Sequence, residues 1–136
     1  SGQANWEEIA KAAHLVHQTH TLLLGNGDVR DLADAQTKVH TYGVDGVLIG
    51  RSAMGNPYVF QSAQPNGPTR FEIALEHAQL YETTYSHLPQ YNFLPMRKHL
   101  GWYVREIPNA SDIRIALFQT NSAREVHAVL EKHQLL

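Results

Sequence analysis

Two short apolar runs, each ending in a glycine-containing turn, constrain the fold of this chain more than any other feature. The first run, residues 21–24, is followed by Gly25-Asn-Gly-Asp28, and the second run, residues 44–49, is followed by Gly50-Arg51. A helical pattern over residues 29–41 lies between them. A strand, a helix and a strand joined by short turns form a βαβ unit, so we expect the two strands to be parallel. The first run is apolar enough to have both faces covered.

Parallel pairing should bring both turns to the same edge of the sheet. Glycine lets the backbone approach a ligand closely, and a helix that begins after each turn would direct free amide groups at that ligand. In a parallel barrel, the loops after the last two strands often form a phosphate site. We therefore predict a phosphate site here, to which Arg51 adds a bidentate cation. For the first turn alone, the alternative is an ordinary turn in which Asp28 and Asp31 cap the next helix.

Length and composition restrict the class of protein. Of the 136 residues, 43% are hydrophobic and 18% charged, which is typical of a soluble globular protein and not of a disordered one. No apolar run is long enough to span a membrane, and without cysteine the chain can have no disulfide, thiolate nucleophile or cysteine zinc site. This composition is compatible with the cytoplasm, where we expect the protein. The net charge of −2 does not by itself indicate a nucleic-acid-binding protein.

The composition changes near residue 61. Pro65, Gly67 and Pro68 follow within a few residues and indicate a domain boundary, so we expect domains over residues 1–62 and 63–136. Only helical patterns follow this segment. The N-terminal domain contains just two strands, with helices on one side, which would leave a sheet edge and an apolar face open. We therefore interpret it as part of a larger barrel.

Helix signals define the C-terminal half. Thr69 and Glu72 form a capping box at the start of a long helix. The later signals are an end at Pro89, a helix over residues 95–106, a short helix capped by Ser111, and a last helix started by Ser122 with Glu125. The predicted fold class is therefore α/β followed by all-α.

Four motifs occur in an order that is similar to a known enzyme family. They are Ser1-Gly-Gln-Ala-Asn-Trp6, Gly25-Asn-Gly-Asp28, Asp45-Gly-Val-Leu-Ile-Gly-Arg51 with Gly55-Asn-Pro57 and Phe60, and Arg97-Lys-His-Leu-Gly-Trp-Tyr103. Together they resemble the C-terminal half of the tRNA-dihydrouridine synthase family, over nearly the whole chain. The resemblance implies the last two β/α units of an FMN-binding TIM (β/α)8 barrel, followed by a helical bundle that binds tRNA.

The same resemblance implies the chemistry and the cofactor site. NADPH reduces FMN, and the flavin reduces uridine in tRNA to 5,6-dihydrouridine. The FMN phosphate would be held by the two turns, at Asn26, Gly27, Asp28, Gly50 and Arg51. Because Asp28 is acidic, we assign it to helix capping or to the ribityl hydroxyls.

The proton-donating cysteine of the family, and the lysine and histidine that contact its flavin, lie upstream of the segment that this chain resembles. We therefore expect no catalytic residue in this segment. The upstream half of the barrel, from the same protein, should be required as a partner. The isolated chain is predicted to be inactive.

Three cationic residues are predicted to bind tRNA. Lys98 and Arg105 are seven residues apart, so on one helix they would form an outward cationic ridge suited to phosphate contacts. The resemblance adds Arg97 but not His99, and Arg114 is a weaker candidate. The alternative for these residues is an ordinary solvated helix face. Trp102 and Tyr103 could stack on a base, although their spacing favours a place in the core.

Other functions find less support in the sequence. His14, His17 and His20 suggest a metal site, but no further ligand occurs at the required spacing, so we expect no metal. No nucleophile-elbow pattern supports Ser-His-Asp chemistry. Two alternatives to the family function are left: another FMN- or phosphate-binding barrel oxidoreductase, and a non-catalytic RNA-binding module.

Overall fold

The computed structural model describes residues 2–62 and 69–136, and these form two compact units. Unit one contains the residues up to Ala53 and the segment that begins at Tyr58. Unit two contains Met54–Pro57 and the C-terminal part of the chain to Leu136. The prolines and glycine of the predicted domain boundary lie in residues 63–68, outside the described residues.

Unit one follows the predicted βαβ order, preceded by one further helix. Its elements are α1 (Trp6–His17), β1 (Leu24–Asn26), α2 (Leu32–Tyr42), β2 (Gly46–Leu48) and a short 3-10 turn (Arg51–Ala53). The two strands pair in parallel, which confirms the prediction. Among the described residues they form a two-stranded sheet.

Strand β1 shares only Leu24 with the predicted run over residues 21–24 and includes Gly25 and Asn26, which were predicted to lie in the turn. Strand β2 is shorter than the predicted run over residues 44–49. Just before β1 the amide nitrogen of Leu23 donates to the Asp45 carboxylate over 2.7 Å. This amide is therefore bonded to a side chain and not to the backbone of a neighbouring strand. The same carboxylate lies 2.9 Å from Nε2 of His17. Asp45 therefore joins the end of α1 to the sheet, and its pKa is lowered, first by the Leu23 amide and then by His17.

The helix caps of unit one were predicted with one error. Asn5 caps α1 by accepting from the amide of Glu8, and Gly43 ends α2 with a φ of 65°. Helix α2, however, begins at Leu32 and not at residue 29, because its cap is Asp31. The Asp28 carboxylate accepts from the Ala4 amide and pairs with Arg51, so the prediction that Asp28 caps this helix is wrong.

One face of the sheet is covered and the other is open. Trp6 and Ala13 of α1, Ala35 of α2, and Val29 and Val44 form a buried core on the covered face. On the opposite face Leu22, Leu24 and Leu48 are 76%, 57% and 47% exposed. The expectation that both faces of the first strand are covered is therefore wrong for the described residues. The predicted open apolar face is present, because both helices of unit one pack on the same side.

Unit two consists of four helices among its described residues. They are α3 (Arg70–Tyr85), α4 (Leu94–Tyr103), α5 (Ala110–Leu117) and α6 (Ala123–Lys132). Helix α3 packs on α4 and α6, and α5 packs on the same two helices. Their apolar side chains form one buried core that includes Met96, Leu100, Val104, Leu117, Val126 and Leu130.

The caps of unit two were predicted only in part. The capping box of Thr69 and Glu72 and the Ser122 cap of α6 are confirmed. Ser111 does not cap α5, which begins at Ala110 after Asn109, a residue with a φ of 57°. Helix α3 ends at Tyr85, before Pro89 is reached.

In the described parts of both units, no helix combines the length and apolarity needed to cross a membrane.

Candidate functional site

Three loops converge at one edge of unit one. The loop before α1 and the start of α1 each contact the turn after β1. The amide of Ala4 donates to Oδ2 of Asp28 over 2.7 Å, and Nε1 of Trp6 donates to the carbonyl oxygen of Gly27 over 2.9 Å. Because Asn5 starts the helix that carries Trp6, the first turn of α1 fixes the position of the Gly27 peptide.

The turn after β2 meets the same residues. Nη2 of Arg51 pairs with Oδ1 of Asp28, and Oγ of Ser52 donates to the carbonyl oxygen of Val29 over 2.7 Å. These contacts join residues that are 23 positions apart in the sequence. The structure therefore brings the two predicted turns together, as parallel pairing requires.

The two turn glycines have different surroundings. Gly27 has a φ of 131°, and a Cβ placed on it would lie 2.3 Å from Cβ of Ala4. Gly50 has open space where its Cβ would be, with no atom within 4 Å. Gly27 is therefore required by the packing of the loop before α1, whereas Gly50 leaves its backbone accessible to a ligand.

The predicted phosphate residues are neighbours, but some of their roles differ from the prediction. Asn26 ends β1, and Gly27, Asp28, Gly50 and Arg51 lie in the two adjoining turns. Asp28 links Arg51 to the loop before α1 and does not cap a helix. Its assignment to ribityl hydroxyls stays a prediction.

Helix N-termini contribute less to this edge than predicted. The amide of Asp34 already donates to the Asp31 cap over 2.8 Å, and the amide of Arg30 donates to the Asp34 carboxylate over 2.9 Å, which lowers the pKa of Asp34. After β2 the chain forms only the three-residue 3-10 turn. An anion at this edge would therefore depend on the turn backbone and on Arg51. The Arg51 side chain is 76% exposed, and a guanidinium has more N–H donors than Asp28 occupies.

A surface cleft in unit two brings the predicted tRNA-binding residues together. Its volume is about 680 Å³, and four of its eight described lining residues are cationic while none is acidic. The lining residues are Leu94, Arg97, Lys98, Gly101, Trp102, Arg105, Arg114 and Phe118. We call this cavity the basic cleft.

Two arginines of the basic cleft are held by backbone oxygens. Nε of Arg97 donates to the carbonyl oxygen of Thr120 over 2.8 Å, and its Nη2 donates to Oδ1 of Asn121 over 2.5 Å. Nη2 of Arg114 donates to the carbonyl oxygen of Val104 over 2.6 Å, at the end of α4. Both arginines stabilise the walls of the cleft while keeping their charge there.

Lys98 and Arg105 are the more exposed cations of the basic cleft. Nζ of Lys98 lies 5.3 Å from the centre of the Trp102 ring. Arg105 is not on α4, because the helix ends at Tyr103 and Val104 leaves helical geometry with a ψ of 74°. The prediction of a single helical ridge is therefore wrong, although both side chains line one cleft. The carbonyl oxygen of Arg105 accepts from Nη2 of Arg70 over 2.8 Å, which fixes this segment.

Arg114, the weaker candidate from the sequence, also lines the basic cleft. Only the packing of α5 against α4 brings it to the cleft. The core interpretation is correct for Tyr103, which packs against the buried core, whereas Trp102 lines the cleft.

Two histidines lie beside the cleft residues. Nδ1 of His77 is 3.3 Å from the hydroxyl of Tyr103, and the ring centres of His77 and His99 are 5.2 Å apart. Burial lowers the pKa of both histidines, and for His99 the nearby His77 and Lys98 lower it further. Burial also raises the pKa of Tyr103. In residues 2–62 and 69–136 no group of three potential metal ligands comes together.

Comparison with known proteins relates this chain to one enzyme family. A family model described as dihydrouridine synthase matches residues 1–136. Proteins from Mycobacterium tuberculosis, Synechocystis and Staphylococcus aureus, each named a probable tRNA-dihydrouridine synthase, are 33%, 30% and 32% identical to this chain. These matches cover 97%, 97% and 96% of this chain, but 36%, 39% and 41% of the respective relatives. The chain thus spans about two fifths of the length of these relatives.

Proposed function

The chain belongs to the dihydrouridine synthase family, and from this we propose that it is the C-terminal part of an FMN-dependent tRNA-dihydrouridine synthase. The whole enzyme would reduce uridine to 5,6-dihydrouridine in tRNA, with NADPH as the reductant. Because tRNA is its proposed substrate, we place the enzyme in the cytoplasm.

In this proposal unit one is the last two β/α units of a TIM (β/α)8 barrel. The upstream half of the same protein supplies the other strands and covers the open face at Leu22, Leu24 and Leu48. The observation that carries the proposal is the link between Asp28 and Arg51, because it places the two turns side by side. Loops after the last two strands of such barrels commonly bind phosphate.

The residues at this edge fit the phosphate end of a flavin. Asn26 ends β1 and Gly27 begins the turn that follows it, while Gly50 is exposed and has no atom within 4 Å of its Cβ position. Arg51 can donate to a phosphate from the nitrogens that Asp28 does not contact, and Asp28 holds the guanidinium at the edge. When bound, FMN supplies the hydride chemistry. The chain has no cysteine to donate the proton, so the proton donor belongs to the upstream half.

In the same proposal unit two is the helical bundle that binds tRNA through the basic cleft. Lys98 and Arg105 contact phosphates directly, because their charges are exposed. Arg97 adds positive charge from a fixed position in the wall, where Thr120 and Asn121 hold it.

The cofactor assignment is tested on the protein extended by the coding sequence that precedes this segment. Arg51→Gln should reduce the FMN that copurifies, measured by flavin absorbance, and Arg51→Lys should retain more because it keeps the charge. Lys11→Gln, at an exposed position of α1, serves as the control. Equal flavin content in the wild type and Arg51→Gln would contradict the phosphate role.

The catalytic assignment has a separate test. The 136-residue chain alone, supplied with FMN, NADPH and uridine-containing tRNA, should form no dihydrouridine, whereas the extended protein should form it. Product from the isolated chain would contradict the proposed location of the proton donor.

The basic cleft also favours one alternative, a non-catalytic RNA-binding module. Flavin in the extended protein would exclude this alternative, because such a module has no need of a cofactor. Complete absence of flavin together with salt-dependent tRNA binding would favour it.

A further inference from the structure

We propose that the basic cleft of unit two binds one unpaired nucleotide of RNA, with the base against Phe118 and its phosphate between Lys98 and Arg105. This inference deepens the proposed tRNA binding and rests on it. It assigns the cleft a ligand and adds Phe118, which no sequence motif indicated.

Phe118 provides an available aromatic surface. Its side chain follows the end of α5, is 40% exposed and lines the cleft. Among residues 2–62 and 69–136, none of the aromatic ring pairs includes Phe118. Trp102 is less available, because Lys98 lies over its ring and the His99 ring centre is 4.7 Å away in an edge-to-face arrangement. A base entering the cleft therefore meets Phe118 as its stacking surface.

Gly101 lets the Phe118 ring pack closely against α4. A Cβ at Gly101 would lie 2.7 Å from the Phe118 ring, so any larger residue in α4 would displace that ring. The side chain of Leu94, at the start of the same helix, is 60% exposed and adds an apolar contact. An apolar floor formed by Leu94, Gly101 and Phe118 suits the flat face of a nucleobase.

The charges of the cleft complement a phosphate. Within residues 2–62 and 69–136, neither Lys98 nor Arg105 forms an ion pair with an acidic side chain. Arg97 and Arg114 contribute two more positive charges from fixed positions in the walls. A cationic surface next to an exposed aromatic ring binds the backbone and the base of a single strand together.

An unpaired nucleotide fits this arrangement better than a duplex. In a duplex both faces of each base are stacked on neighbouring bases, so only the phosphates would reach Lys98 and Arg105. A splayed base can place its face on an aromatic side chain, which is how proteins commonly recognise single-stranded RNA. The cleft volume of about 680 Å³ is in the size range of small-molecule sites.

The test uses the 136-residue chain and an eight-nucleotide uridine-rich RNA with a central 2-aminopurine. A duplex with the same number of phosphates and full-length tRNA are the comparison probes. Wild-type protein should quench 2-aminopurine fluorescence and bind the single strand more tightly than the duplex. Phe118→Leu should weaken single-strand binding about tenfold without changing the salt dependence, and the quenching should be lost.

Charge variants measure the second half of the inference. Lys98→Gln should lower the slope of log K against log salt by about 0.7 while quenching is retained. Lys132→Gln, at the end of α6 and outside the cleft, is the matched control and should behave as wild type. Circular dichroism melts of every variant establish that the fold is unchanged.

The outcomes separate this inference from the proposed function. In one outcome, tRNA binding depends on salt and is weakened by Lys98→Gln, but Phe118→Leu binds the single strand as tightly as the wild type. This outcome overturns the nucleotide site and leaves the proposed tRNA binding intact. Failure of the folded wild-type chain to bind tRNA, the duplex and the single strand overturns the proposed tRNA-binding role, and with it this inference.

Discussion

The indole Nε1 of Trp6 donates a 2.9 Å hydrogen bond to the carbonyl oxygen of Gly27. The ring of the same side chain lies over Gly25, where a Cβ would come within 2.5 Å of it. Trp6 therefore fixes both ends of the Gly25–Gly27 segment. Through the Asp28 side chain, the same turn also contacts Ala4 and Arg51. The edge that we propose for the flavin phosphate is thus held by residues outside the two glycine turns.

Trp6→Phe should lower the free energy of unfolding by about 1 kcal/mol, because it removes the hydrogen bond to Gly27 and keeps an aromatic ring in the core. The measurement is urea denaturation followed by circular dichroism. Trp102→Phe is the control, since Trp102 lies in the basic cleft and not in the core of unit one. A destabilisation of equal size in both variants would contradict the assigned hydrogen bond.

Gly27→Ala and Gly50→Ala should differ sharply in stability. Gly27 combines a φ of 131° with a Cβ position 2.3 Å from Ala4, so we expect Gly27→Ala to cost at least about 1–3 kcal/mol. Gly50 has open space at its Cβ position, so Gly50→Ala should change stability by less than about 0.5 kcal/mol. Thermal unfolding of the two variants checks this, and similar melting temperatures would refute it.

Arg97 and Lys98 are neighbours in sequence with different structural roles. Arg97→Gln should lower the unfolding free energy by about 1–2 kcal/mol, because Thr120 and Asn121 lose a charged donor. Lys98→Gln should leave stability nearly unchanged, since the side chain is exposed and lies over the Trp102 ring. Denaturant titration of the pair distinguishes the roles. Equal loss in both would mean that the Arg97 contacts do not stabilise the turn between α5 and α6.

Acid should destabilise unit two through His77 and His99. Burial lowers the folded-state pKa of both below the ordinary value of 6.5, so the unfolded chain binds protons more readily. The stability that the two neutral histidines contribute should be fully present above pH 6.5. It should decrease as the pH is lowered from 6.5 through the folded-state pKa values. The groups that face this pair are the Tyr103 hydroxyl and the Lys98 ammonium.

Melting temperatures between pH 7.5 and 5 measure this effect. In His77→Gln the melting temperature should fall less between pH 7.5 and 5 than in the wild type. In His87→Gln, at an exposed position after α3, it should fall as much as in the wild type. An unchanged decrease in His77→Gln would contradict the assignment.

The sequence predicted the elements better than their ends. Asn5, Thr69 and Ser122 were identified as caps because a cap bonds an amide only a few residues away. Asp28 and Ser111 were misassigned as caps because the same residue types also occur at other positions: Asp28 lies in a turn with a φ of 53°, and Ser111 lies inside α5, which begins at Ala110. The first strand begins later than predicted because the Asp45 carboxylate accepts from the Leu23 amide just before it, and apolar patterning does not detect such a contact.

The sequence by itself determined the family, the parallel βαβ order and the succession of helices. These depend on local residue spacing and on the order of motifs along the chain, both of which can be read without the tertiary structure. Only the tertiary structure decided which charges are available to a ligand. Arg97 and Arg114 are bound to backbone oxygens 23 and 10 residues away, and Asp28 holds Arg51 across 23 residues. Such contacts form when elements pack, and no local pattern encodes them. For the same reason, only the packing of the helices shows that the exposed ring of Phe118, which we propose as a stacking surface, lies beside Gly101.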